Sequence, residues 1–259
     1  MTKIISIANQ KGGVGKTTTT LNLAAGLVQK GKKTLVIDFD PQKNLSDYLG
    51  FEPDGGISIA DLMLSAAQGS DLDPKPAIRT NKEGIDFIPS NIKLSSADMF
   101  LAQAMFREQT LKRILASPVF NDYDYILIDC LPSLGILLTN ALIASNSLII
   151  PVQAQKFALD GIDALISAYE LVKNCANRDL RIDGFILTMA DGTNMAKAVE
   201  EALQERFPNE TFRTRISRSV GATNSTYYQS SLIANRSSKL GAQYRNLVDE
   251  FLDAERKAI

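Results

Sequence analysis

The sequence predicts an α/β fold: a single doubly wound, mainly parallel sheet with helices on both faces. Three observations carry this expectation. The short strand-like runs are apolar throughout, as strands covered on both faces must be. They alternate with stretches of helical period, the order that yields parallel strands joined by crossovers. The polar features Lys11, Asp38 to Asp40 and Asp129 all fall at the ends of such runs, on the rim where ligands of an open α/β sheet bind.

In chain order, the run Ile4-Ile5-Ser6-Ile7-Ala8 reads as a buried strand. Residues 17–30 read as a helix with Leu21, Ala24, Ala25 and Val28 on one face, stopped by Gly31. The next strand covers 34–38. Residues 54–76 scatter Gly, Asp and Pro among polar residues and read as an excursion over the surface. A short third strand covers 87–89, and a long helix covers 96–117 until Pro118 ends it. Further strands are expected at 125–129, 147–152 and 184–189. Helices fit 134–145, 159–174 and 194–207, with a last one at 240–257. No internal repeat, low-complexity tract or linker interrupts the 259 residues, a length that suits one large α/β domain.

Composition narrows the chemistry. Hydrophobic residues make up 45% of the chain, enough for an ordinary core. With 28 basic and 29 acidic residues the formal net charge is -1, so any contact with nucleic acid must come from a local patch. The chain has no histidine, which excludes a Ser-His-Asp triad, a His-ligated zinc and an imidazole base. Cys130 and Cys175 are isolated and form no Cys-x-x-Cys unit, a usage that fits a reducing compartment. No signal peptide or membrane-length apolar run is present. The expected location is the cytoplasm.

The segment Lys11-Gly12-Gly13-Val14-Gly15-Lys16-Thr17 lies between a predicted strand and a predicted helix. The phosphate-loop pattern is G-x-x-x-x-G-K-[ST]. Gly15, Lys16 and Thr17 fit it, while Gln10 stands at the first glycine. The chemistry survives that change. Gly12, Gly13 and Gly15 allow successive backbone N–H groups, Val14 included, to turn towards phosphate oxygens. Lys16 is placed to neutralise the β and γ phosphates, Thr17 to ligate Mg²⁺, and the helix start, with Thr18, to face the same anion. A nucleoside triphosphate with magnesium is the expected ligand.

Lys11 refines this. The run K-G-G-V-G-K-T resembles the deviant Walker A motif of the ParA/MinD group of ATPases. The resemblance implies that Lys11 reaches across a dimer interface to the partner subunit's ATP, so that dimers form with ATP and loosen after hydrolysis. Asp38-Phe39-Asp40-Pro41-Gln42 is similar to the group's D-x-D-P-Q segment. By that resemblance Asp40 positions or activates the attacking water and Asp38 supports the magnesium shell; read alone, the pair also suits a turn before Pro. Ile126-Leu127-Ile128-Asp129-Cys130-Leu131-Pro132-Ser133-Leu134-Gly135 resembles the Walker B segment I-I-I-D-C-P-P-S-L-G, which assigns Asp129 to the magnesium. Leu131 departs from the first proline without removing charge. Cys130 reads as a packed small residue. Ile150-Pro151-Val152-Gln153, Ala158-Leu159-Asp160-Gly161 and Leu187-Thr188-Met189 match as well; the last implies that Met189 borders the nucleotide. The resemblance runs from Lys3 to about Val220 and is nearest the Soj/ParA branch. It implies one P-loop ATPase domain over 1–259 without a separate N-terminal DNA-binding domain.

The chain departs from the family where the family holds DNA. The pattern I-P-R-N-V-R-L-S-E-A falls on residues 216–225: its first arginine survives as Arg218 and its second falls on Gly221. A D-A-R-T-N segment becomes Asp191-Gly192-Thr193-Asn194. Non-specific affinity rests on phosphate neutralisation, with a log-log salt slope of about 0.9 per contact. Arg215, Arg218, Arg236 and Lys239 are the candidate replacements.

The resemblance implies a partition ATPase that dimerises on ATP, binds double-stranded DNA without sequence preference at the nucleoid and is stimulated by a ParB-like partner. The alternative is a relative that positions another cargo or regulates a mobile element with weak or no DNA binding, suggested by the altered 217–238 segment with Tyr227-Tyr228. A membrane role would want a basic amphipathic last helix, whereas Asp249, Glu250, Asp253 and Glu255 make this one acidic.

Overall fold

The computed structural model describes residues 2–155, 160–219 and 221–257. β1 (Lys3–Ile7) passes through the glycine loop into α1 (Lys16–Gln29), and β2 (Thr34–Phe39) is followed by α2 (Asn44–Tyr48) and α3 (Ile59–Ala67). β3 (Arg79–Thr80) and β4 (Asp86–Ile88) precede α4 (Ala97–Leu101) and α5 (Thr110–Leu115). β5 (Tyr125–Cys130), α6 (Ile136–Ala144), β6 (Ser147–Gln153), α7 (Asp160–Cys175), β7 (Arg181–Thr188) and α8 (Asn194–Arg206) then alternate, and α9 (Gly221–Tyr227) and α10 (Lys239–Lys257) follow. The seven strands lie in the order β3-β4-β2-β5-β1-β6-β7. Every pair is parallel except β3 with β4.

Strand pleating divides the core. Ile5, Ile7, Val36, Leu127 and Ile149 point to one face and pack with α1 and α10 through Leu21, Leu27, Tyr244, Val248 and Phe251. Their neighbours Leu35, Ile37, Ile126, Ile128, Leu148 and Ile150 point to the other and pack with α3, α5, α6 and α7. β2, β5 and β6 are buried along their whole length, because alternate residues meet a layer of helices on each side. The doubly wound expectation therefore holds.

Two expectations need correction. The single helix at 96–117 is absent: α4 and α5 are separate, with a tight turn at Arg107–Gln109 between them. Phe106 sits at φ 52, a left-handed conformation that ends a helix. Asn140 of α6 then takes over the helical bonding, accepting from the Leu111 N–H at 3.0 Å and donating to the Arg107 carbonyl at 2.9 Å. The polar excursion at 54–76 contains α3, whose Ile59, Leu62 and Met63 are buried. Its start is a capping box, in which the Ser58 side chain accepts from the Asp61 N–H and the Asp61 carboxylate accepts from the Ser58 N–H. The other helices and strands fall within three residues of their expected bounds; the expected start of the 159–174 helix lies outside the described residues.

α1 and α10 approach closely at Gly26, where an added Cβ would lie 2.4 Å from Val248 Cγ2 and 3.1 Å from Ile233 Cδ1. Gly26→Ala is therefore expected to destabilise the protein by about 1–3 kcal/mol despite alanine's better helix propensity. Urea unfolding checks this, and adding Val248→Ala should recover most of the loss.

Candidate nucleotide site

Strand register assembles the site. Ile7 of β1 and Asp38 of β2 both pair with Asp129 of β5. The loop after β1, the Asp38–Asp40 turn and the end of β5 therefore share one rim, as expected. Gly13 and Gly15 adopt φ of 73 and 88, which only glycine tolerates readily. Gly15 caps α1 with no side-chain cap, so the first N–H groups of α1 are left for an anion. The loop is braced from behind. Asn9 donates to the Pro151 carbonyl at 2.8 Å and accepts from the Lys11 N–H at 2.9 Å, and Thr188 donates to the Val14 carbonyl at 2.8 Å.

Lys16 is buried and its amine donates to the Lys11 carbonyl at 3.0 Å, across the loop. Burial lowers its pKa, opposed by the charges of Asp129 and Asp40. Thr17 donates to Asp129 at 2.7 Å, and Thr20 donates to the other carboxylate oxygen at 3.3 Å. Asp38 accepts from the Ser46 N–H and hydroxyl, both at 2.7 Å, and from the Asp40 N–H at 3.3 Å. Asp40 is half-exposed at the rim and accepts from the Gln42 N–H at 2.9 Å. Lys11 is also half-exposed; its amine reaches Gln155 at 3.0 Å and makes no ion pair with a described residue.

Two carboxyl groups thus stand side by side, each 1% exposed, with one lysine near them. Burial pushes Asp129 up to about 8, reinforced by the charge of Asp38 and opposed by Thr17 and Lys16. Burial likewise pushes Asp38 up to about 7, against the hydrogen bonds of Ser46. This charge deficit fits a divalent cation: the Thr17 hydroxyl, which gives its proton to Asp129, keeps lone pairs for it, and both carboxylates suit its bound waters. Such a cation would neutralise charge on the phosphates. Cys130 is buried and its thiol is pushed up to about 12 by burial, an inert packed residue as expected.

Beside the loop lies a cavity of about 230 Å³ lined by Gly15, Thr18, Thr188, Met189, Ile216, Arg218, Ala222 and Tyr244, among others. Met189 is held there at φ 52, its sulfur accepting from the Gln153 amide at 3.1 Å. Sequence reading anticipated Thr18 and Met189 but missed Ile216, Ala222 and Tyr244, which come from remote segments with no spacing signal. It also missed Asn9 and Ser46, whose roles depend on tertiary contact. Roomier hollows of about 370 and 470 Å³ border neither Gly15 nor Lys16. Of the candidate DNA contacts, Arg215 is paired with Glu200 at 2.7 Å. Arg218, Arg236 and Lys239 are exposed and make no ion pair with a described residue. Ala158 and Leu159 lie outside the described residues.

Comparison with known proteins bears on this geometry. A family model described as an AAA domain matches residues 2–182. The sporulation initiation inhibitor protein Soj of Bacillus subtilis (strain 168) is 44% identical over 222 residues, 85% of this chain and 86% of that protein. The chromosome-partitioning ATPase Soj of Treponema pallidum (strain Nichols) is 42% identical over 85% of each. The chain belongs to the ParA/Soj family of partition ATPases. A crystal structure named as cobyrinic acid a,c-diamide synthase of Mycobacterium smegmatis, with bound ADP and magnesium, superposes with a TM-score of 0.86 at 31% identity, covering 100% of this chain and 97% of that one. A plasmid partition protein of Borrelia burgdorferi superposes at 0.77 and 26% identity, covering 99% of each.

Both buried carboxyls hold their protons more tightly in the folded chain than in the unfolded one. Their contribution therefore favours folding at low pH and is lost as pH rises from about 4 to about 8. Without magnesium or nucleotide, the thermal midpoint should fall from about pH 6 to about pH 8, and Asp129→Asn should flatten that fall. Equal slopes for the two proteins would contradict the assignment.

Proposed function

We propose that this chain binds ATP with Mg²⁺ at the glycine loop, dimerises on doing so, and hydrolyses the ATP slowly as the switch of a DNA-partition system. The observation that carries the reading is Lys11. Its amine stands at the loop mouth, where among the described residues it meets the Gln155 amide and no carboxylate, a positive charge beside the site where phosphate charge accumulates. Placed against a second copy, it offsets repulsion between two facing nucleotides, so the dimer depends on ATP.

The parts divide the work. The loop N–H groups and Lys16 hold the β and γ phosphates. Thr17, Asp38 and Asp129 serve the magnesium. Asp40, half-exposed beyond Asp38, orients the attacking water and receives its proton. The 230 Å³ cavity takes the base. Arg218, Arg236 and Lys239 offer DNA phosphates a patch in a chain of net charge -1, and a ParB-like partner accelerates turnover. The reading in which another cargo is positioned draws on Tyr227 and Tyr228, 83% and 68% exposed, an aromatic pair suited to a protein partner.

Light scattering should show a dimer with ATP and not with ADP. Lys11→Ala should bind nucleotide and remain monomeric; Asp40→Ala should dimerise on ATP, with hydrolysis slowed at least about tenfold. A Lys11→Ala protein that still dimerises on ATP would remove the bridging role. Separately, DNA affinity in a salt titration should require ATP, and Arg218→Ala should flatten the log-log slope by about 2 per dimer. Affinity indifferent to ATP would favour the other-cargo reading.

A further inference from the structure

α9 touches both the cavity beside the glycine loop and α2, the helix that follows Asp40. Ala222, near its start, lines the cavity. One turn later the Ser225 hydroxyl donates to the Ala222 carbonyl at 2.8 Å. Ser225 also shares a buried hydrogen bond with the Tyr48 hydroxyl of α2, which the exposed Thr226 hydroxyl, itself donating to the Ala222 carbonyl at 3.1 Å, flanks on its other side. Since the Ser225 proton is committed to the carbonyl, Tyr48 is the donor and Ser225 the acceptor. The relay therefore runs from Tyr48 through Ser225 to the backbone of the cavity wall. Tyr48 is 2% exposed and Ser225 9%, so neither hydroxyl has water as an easy substitute.

The other end of α2 reaches the chemistry. Ser46, two residues before Tyr48, clamps Asp38 with both its N–H and its hydroxyl. The Lys43 N–H donates to the Asp40 carbonyl at 2.9 Å, and the Asp47 N–H to the Lys43 carbonyl at 3.0 Å. α2 is thus tied at its start to Asp40 and through Ser46 to Asp38.

We propose that Tyr48 and Ser225 are a positioning pair that conveys occupation of the base cavity to the Asp38–Asp40 loop. A base pressed against Ala222 fixes α9, the hydroxyl relay fixes α2, and α2 holds the two aspartates in place for hydrolysis. The pair touches neither nucleotide nor water; it acts through Ser46 and Lys43. The proposal rests on the base occupying that cavity.

The test compares a ligand that has the base with one that lacks it. Hydrogen–deuterium exchange of residues 40–48 is followed with Mg·ADP and with Mg·pyrophosphate. In the wild type, Mg·ADP should protect this segment more than Mg·pyrophosphate does. In Tyr48→Phe, which keeps the ring and removes only the hydroxyl, the two ligands should protect it equally. The variant's kcat for ATP should fall about fivefold with KM changed less than about twofold. Ser225→Ala should behave alike, and the double variant should be no worse than either single one. Persistence of the extra Mg·ADP protection in Tyr48→Phe, or additive losses in the double variant, overturns the relay. If Mg·ADP fails to protect 216–219 in the wild type, the base lies elsewhere, and both the base assignment and the relay fall on that separate ground.

Discussion

Two buried carboxyl groups on adjacent parallel strands govern this molecule. Asp38 and Asp129 are register partners at the ends of β2 and β5, strands that run about 4.8 Å apart. Both are essentially buried. A pair of like charges in that position is unfavourable unless compensated, and the fold compensates it only in part, with Lys16, two threonine hydroxyls and the clamp of Ser46. On the proposed reading, much of the surrounding architecture keeps this pair where a cation and a phosphate chain would complete it. The glycines let the loop fold over the pair. Asn9 and Thr188 brace the loop from the β6 and β7 side. The helices on both faces keep solvent out.

The charged groups of the site divide between its edge and its centre. Lys16 and Asp129 are locked in the core, whereas Lys11 and Asp40 are half-exposed on the rim. On the proposed reading, charge that stays fixed is buried, and charge that meets a partner or a water is left accessible. α2 and α9 form a second layer behind the rim. Their hydroxyl contact joins the cavity side of the site to the carboxylate side, which the sheet alone keeps apart.

The central sheet was legible in the chain because its signal is local: uninterrupted apolar runs, each ended by a polar rim residue. The glycine loop was legible because phosphate binding dictates its spacing, whereas Asp38, Asp40 and Asp129 stood out as rim residues and took their roles only from the family resemblance. What escaped depends on distant contacts. The 96–117 helix has the right apolar period, but Phe106 in a left-handed conformation and the Asn140 amide interrupt it. α3 was hidden because its polar flanks dominate the window, although the Ser58-x-x-Asp61 cap was there to be read. The cavity beside Met189 draws on β7, the 216–222 segment and α10, and no single stretch announces it.

The most direct measurement is calorimetric titration with ATP, with Mg²⁺ and with the metal chelated, on the wild type and on Asp129→Asn. If the buried pair is completed by a divalent cation, Mg²⁺ tightens wild-type binding by at least about tenfold. The variant, with one charge removed, should lose most of that dependence while keeping its metal-free affinity. Equal affinities with and without Mg²⁺ in the wild type, or an undiminished Mg²⁺ dependence in Asp129→Asn, would contradict the account.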